Sequence, residues 1–190
     1  MNFDPVPEHE MLRDSIRAFF ARELPEERIR DMDRARRIPR TLWKRFAEMG
    51  WMGLSVPIEF GGSGADVMTG SVVAEELARR FPSLATDWLL VSMTARILRE
   101  SGTPAQQAEL LPRLARGDFL MGFGMSEPDG GTDVLALKTR ASLEGGEWVI
   151  RGQKLYTSLA DDADAILVLC RTEALEGGKR ARGLSLVLTP

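Results

Sequence analysis

Two stretches carry the residue types that could do chemistry, and both fall between Phe119 and Ser158. The first, Phe119 to Asp133, reads FLMGFGMSEPDGGTD. Its apolar run through Phe123, Gly124 and Met125 stops at the hydroxyl of Ser126 and enters a glycine-rich turn that holds Thr132. The second, Gly146 to Ser158, reads GEWVIRGQKLYTS; it alternates apolar and polar residues as a strand does and ends in Tyr156, Thr157 and Ser158. Small hydroxyl side chains donate and accept hydrogen bonds without bulk, and a flexible turn beside them leaves backbone amides free to face an anion. Two strand ends of this kind make a cradle for a large phosphorylated cofactor. The rest of the chain offers little competing chemistry. His9, the single histidine, lies near the N-terminus and reads as structural or solvent-exposed. Cys170 lies in an apolar strand with no basic neighbour, as a buried inert thiol would. No His, Cys, Asp and Glu cluster has metal-ligand spacing.

The elements that must position these residues fall into two groups. Before residue 118 the periodicity is helical. Leu12, Ile16, Phe19 and Phe20 mark an amphipathic helix over Glu8–Glu23, which Pro25 ends. Glu26 to Arg37 mixes both signs of charge, and the basic residues between Arg28 and Arg45 read as a solvated face with intrahelical ion pairs rather than a phosphate site. Pro39 starts a helix whose Leu42, Phe46 and Met49 share one face. Trp51 to Gly64 reads as a tight connection, since its glycine cluster has neither phosphate-loop pattern. Asp66 caps a helix running to Arg80. Leu84 to Glu100 is apolar over a broad arc, and its Trp88, Leu89 and Met93 are read as core rather than pocket lining. Thr103-Pro104-Ala105-Gln106 is a capping box that opens the last helix. From Phe119 the period is that of strands: Thr139–Leu143, Glu147–Arg151, Ala165–Arg171 and Leu184–Leu188, with Gly177-Gly178 among the separators. Helices followed by strands without alternation predict an α+β chain: an all-α domain over 1–117, then an antiparallel β-barrel domain over 118–190. Because Thr189-Pro190 follows an apolar strand directly, this barrel reads as incomplete.

Composition narrows the class. The chain has 190 residues, 44% hydrophobic and 28% charged, with a net charge of −3. That balance fits a globular protein and no general nucleic-acid binder. One cysteine excludes an internal disulfide framework and fits a reducing, cytoplasmic compartment. No apolar run is long enough to span a bilayer, and the acidic start has no signal-peptide core.

The segment MSEPDGGTD, Met125 to Asp133, resembles the TEPxxGSD segment of the acyl-CoA dehydrogenase family, and GEWVIRGQKLYTS resembles that family's GxxxxINGxKxWTS segment. The Gly53–Pro57 loop with Gly61-Gly62, the paired acids Glu75-Glu76 and the Gly102–Leu114 helix entry match in kind, so the likeness runs along the whole chain. The resemblance implies an N-terminal helical domain, a middle β-barrel domain and a C-terminal four-helix domain that is absent here. It implies FAD held between domains and subunits of a homotetramer or dimer, an acyl-CoA substrate, and an electron-transfer flavoprotein or similar acceptor. It further implies that Ser126 and nearby backbone from Phe123 to Met125 bond the flavin ring, and that Thr132 serves the pyrophosphate and approaches the acyl-CoA. Tyr156 stands where a tryptophan lies against the flavin, and Ser158, next to Thr157, where a hydroxyl meets the N5 edge. Leu159-Ala160 replaces a small, often glycine-containing continuation. In the family a glutamate removes the α-proton while the β-hydrogen leaves as hydride to flavin N5. That base is expected beyond residue 190, Glu127 reads as structural, and the chain alone is expected to be inactive. Two other readings stay open: a flavin monooxygenase or oxidase of the same fold, and a non-catalytic interaction module that has lost the cofactor.

Overall fold

A computed structural model of the chain describes residues 4, 6–174 and 180–190. It separates into two compact units, Met1–Phe119 and Leu120–Pro190. The Gly177-Gly178 separator lies outside the described residues.

The first unit is helical: α1 (Pro7–Glu23), α2 (Glu26–Ala35), α3 (Arg40–Glu48), α4 (Val67–Arg80), α5 (Pro82–Ser101) and α6 (Pro104–Ala115). Local signals set most of the boundaries. Asp66 accepts from the Thr69 amide at 2.8 Å and opens α4. Thr103 and Gln106 form the reciprocal bonds of a capping box at α6, with Pro104 at its first position. The core is aromatic. Phe19 of α1, Phe46 of α3 and Trp51 meet edge to face, with ring centres 5.1 to 5.5 Å apart. The indole of Trp88 on α5 reaches the same region and donates to the Trp51 carbonyl at 3.1 Å. Met49 does not join this face as expected; it follows the end of α3 and is exposed, while Trp43 is fully buried. The charged face of α2 is solvated, with Arg30–Glu26 and Arg34–Asp31 pairs along it. Trp51–Gly64 is a tight connection. Its backbone is cross-bonded from Ser63 to Gly53 and from Gly64 to Val56, and a side chain at Gly62 would lie 2.0 Å from the Val56 carbonyl.

The second unit is a sheet of β1 (Met121–Gly124), β2 (Arg140–Glu144), β3 (Glu147–Arg151), β4 (Ala165–Arg171) and β5 (Leu184–Thr189). The strands run in the order β1-β4-β2-β3, with β5 also on β4. The α+β order is as the periodicity predicts, but the pairing is mixed rather than wholly antiparallel. Strands β2 with β3 and β4 with β5 are antiparallel, whereas β1 lies parallel to β4 from Met121↔Ala165 to Gly124↔Val168. The parallel pair arises because β2 and β3 form a hairpin between β1 and β4 in sequence, so β4 returns in the direction of β1. Cys170 lies in β4, fully buried, and burial pushes its thiol above its ordinary range.

Candidate functional site

Strand β1 ends at Gly124, and the chain beyond it carries Met125 and Ser126 out of the sheet. The segment after β3 returns along this end. Leu155 N–H donates to the Ser126 carbonyl at 2.9 Å. The approach is close because β1 carries glycines: a Cβ on Gly124 would sit 3.3 Å from Lys154 Cγ and 3.7 Å from Thr157 Oγ1, and one on Gly122 would sit 3.1 Å from the Ser158 carbonyl. The sequence-derived candidates Phe123, Gly124, Met125, Ser126, Thr157 and Ser158 are thereby brought together at one strand end. Among the described residues, the hydroxyls of Ser126, Thr157 and Ser158 enter no internal hydrogen bond, so their capacity is free for a bound group.

Tyr156 belongs to the same turn but stands out of the unit at 91% exposure. It and Leu159 both have positive φ, 55° and 61°. Bulky residues rarely adopt that conformation, so the turn from Tyr156 to Leu159 stores strain, with Tyr156 its exposed side chain and Thr157 to Leu159 half-buried. Thr132 lies apart, exposed two residues past the turn that Glu127 and Gly130 close with reciprocal backbone bonds of 3.0 and 3.1 Å. Its neighbour Asp133 pairs with Arg180.

Glu127 is structural. Its side chain is buried and accepts from the amides of Lys138 (2.6 Å) and Thr139 (2.9 Å) and from the Lys154 ammonium (2.8 Å). Burial alone would raise this carboxyl, but the ammonium and the donors from Thr139 and Lys138 outweigh it and hold the group at about 2. With both oxygens occupied by internal donors and its basicity lowered, this carboxylate is poorly suited to take a substrate proton. Lys154 was not singled out from sequence, and its position explains why: its partner is 27 residues away. The available signal was the lysine of the GxxxxINGxKxWTS segment, which falls on Lys154, two residues past Gly152. That glycine, at φ 156°, packs against Thr139, leaving room for no side chain.

The helical unit holds a cavity of about 610 Å³ between the Leu54–Val67 region and helices α4 and α5. Leu89, Met93, Ala74 and Trp88 are among its walls, with Arg96 and Arg99 also lining it. The expectation that Leu89 and Met93 are core is therefore corrected. They are 49% and 39% exposed, because they sit about 100° (Leu89) and about 140° (Met93) around α5 from Trp88 in the buried Trp88–Val91–Ala95 stripe. Of the two roles expected for His9 the structure shows the structural one: it is buried, with its ring nitrogens near the Val6 amide and the Thr69 hydroxyl. Among the described residues no helix is long and apolar enough to cross a membrane, and no group of three or more His, Cys, Asp or Glu could hold a metal.

Comparison with known proteins gives these two units a common context. Residues 6–118 match the family described as acyl-CoA dehydrogenase, N-terminal domain, and residues 122–190 match acyl-CoA dehydrogenase, middle domain. Among curated relatives, acyl-CoA dehydrogenase FadE12 of Mycobacterium tuberculosis is 34% identical over 160 residues, covering 83% of this chain and 41% of that protein. The (2S)-methylsuccinyl-CoA dehydrogenase of Cereibacter sphaeroides is 36% identical over 181 residues, covering 95% of this chain and 33% of that protein. A solved glutaryl-coenzyme A dehydrogenase, in complex with glutaryl-CoA, superposes with a TM-score of 0.88 at 29% identity, covering all of this chain and 48% of that one. The chain thus spans half or less of the length of these relatives. With both units matched in chain order, it belongs to the acyl-CoA dehydrogenase family.

Proposed function

We propose that this chain supplies the N-terminal and middle parts of an FAD-dependent acyl-CoA dehydrogenase that converts an acyl-CoA thioester to the 2-enoyl-CoA. The observation that carries the reading is the convergence of Ser126, Thr157 and Ser158, with unused hydroxyls, at the end of β1. FAD fits this donor set. Its ring has a polar edge needing short donors and acceptors, and its pyrophosphate needs an open turn. At Gly131 an added Cβ would meet nothing within 4 Å, so the turn around Thr132 has that room.

In this reading the hydroxyls of Ser126 and Ser158, with backbone from Phe123 to Met125, bond the polar edge of the flavin. Fixed dipoles of this kind orient a ring and stabilise charge that develops on it. Thr132 serves the pyrophosphate and the neighbouring acyl-CoA, and Tyr156, already exposed, covers a ring face. When bound, FAD supplies the hydride acceptor that no side chain can provide. The cavity beside α5 takes the acyl tail, with Leu89 and Met93 as its apolar wall. The α-proton must leave to a base on the substrate face opposite the flavin. Glu127, ionised and fully engaged, is not that base. An electron-transfer flavoprotein or similar acceptor reoxidises the enzyme, which works as a homo-oligomer.

The full-length purified protein, assayed with an acyl-CoA chain-length series and an artificial electron acceptor, should form enoyl-CoA in proportion to acceptor reduced. Oxygen consumption without enoyl-CoA would replace this reading with an oxidase or monooxygenase.

A further inference from the structure

Lys154 sits on one hydroxyl-bearing segment and reaches the other. Its ammonium donates to the Met125 carbonyl at 3.0 Å and to Glu127 Oε1 at 2.8 Å, one on each side of Ser126 in sequence. Its aliphatic stem crosses β1 at Gly124, where a side chain would crowd it. Lysine side chains normally keep their charge in water. Here the Lys154 side chain is 10% exposed and that of Glu127 is 6% exposed, so both charges are largely withdrawn from solvent.

A buried pair of this kind is a poor device for stability, since two apolar residues would avoid the desolvation cost. It does fix geometry. Glu127 is clamped by the Lys138 and Thr139 amides at the entrance to β2, so Lys154 is anchored to a rigid point rather than a mobile carboxylate. Among the described residues, one backbone bond joins the two segments, from the Leu155 amide to the Ser126 carbonyl. The ammonium's two bonds add a second anchor immediately before it, while Asp164, bonded to Leu120, holds the far end of the turn. The pair carries no net charge, and the influence assigned to it is positional.

We infer that Lys154 and Glu127 are positioning residues that hold Ser126, Thr157 and Ser158 at the spacing a single bound cofactor needs. This rests on the flavin reading above. The tether acts before any cofactor arrives, setting the strand ends in the apo-protein, and the three hydroxyls then meet the ring without reorganising.

The test uses the full-length protein with Lys154→Met, Lys154→Arg and the double variant Glu127→Gln/Lys154→Met, which strands no charge and so keeps the fold accessible. Hydrogen exchange in the apo-protein reads the segments directly. Amides from 155 to 158 should exchange about tenfold faster in Lys154→Met and in the double variant, with unchanged protection in the helical unit. FAD titration by fluorescence quenching should show binding weakened by about tenfold or more, as small displacements of positioning groups do. The bound flavin's visible band should lose its resolved shoulder, and Lys154→Arg should recover most of each effect. A double variant that folds, exchanges like the wild type over 155–158 and binds FAD within about twofold of it overturns the inference. A wild type that binds no FAD defeats the flavin reading, and the exchange data then decide alone whether the pair positions these segments.

Discussion

Replacing Lys154 with methionine should destabilise the protein at pH 7 by about 3 kcal/mol. Removing one member of a buried ion pair typically costs about 3–5 kcal/mol, because the other charge is left without its partner. The lower end applies here, since Glu127 keeps the Lys138 and Thr139 amides at 2.6 and 2.9 Å. In a chain of this size, about 3 kcal/mol corresponds to roughly 6–12 °C in the melting midpoint. The effect depends on pH with a definite sign. The Glu127 carboxyl is held at about 2, below its unfolded value, so its contribution is complete above the ordinary carboxylate range and is lost as pH falls towards 2. The stability gap between wild type and Lys154→Met should therefore be full at neutral pH and shrink on acidification below about pH 4. Urea unfolding followed by tryptophan fluorescence and circular dichroism, at a series of pH values, measures the gap. Glu127→Gln/Lys154→Met should be more stable than Lys154→Met alone. A gap under about 1 kcal/mol at pH 7 would show that the pair is solvated in solution and refute the reasoning.

Other perturbations have equally definite outcomes. Gly62→Ala places a methyl 2.0 Å from the Val56 carbonyl and 2.5 Å from that of Gly53, and should cost about 2–3 kcal/mol in urea unfolding. Glu76 accepts from Arg17 at 2.8 and 3.0 Å and from Arg13 at 2.9 Å, which hold its carboxyl below the ordinary range. Glu76→Gln should therefore cost about 1–2 kcal/mol at pH 7, and less as pH falls through the unfolded carboxylate range. Met93→Trp should lower kcat/KM for long acyl-CoA substrates while sparing short ones, by about fourfold per methylene excluded. A uniform loss across the chain-length series would remove the tail from that cavity. Cys170, fully buried, should resist a thiol reagent at neutral pH until urea unfolds the sheet.

The parts of the fold that were legible in the sequence are those whose causes are local. Asp66 and the Thr103–Gln106 box name their helix starts because the bonds they make lie within three residues. The hairpin of β2 and β3 is legible for the same reason. The parallel β1–β4 pair was not, since nothing near Met121 reports that Ala165 will lie beside it. Leu89 and Met93 were misread because a broadly apolar helix does not say which flank its neighbours leave uncovered. At the candidate site the hydroxyls of Ser126, Thr157 and Ser158 could be picked out by type and placement at strand ends. Glu127 and Lys154 each stand at a fixed position of the two resembling segments, but that they pair could not be read, because their partnership spans 27 residues.

The visible absorption spectrum of the full-length protein, recorded under anaerobic conditions before and after addition of acyl-CoA, tests the central claim most directly. A flavin band that is present on purification or develops on adding FAD, and that bleaches with acyl-CoA, is the predicted result. No flavin band even with added FAD, or a bound flavin that no acyl-CoA bleaches, would contradict it.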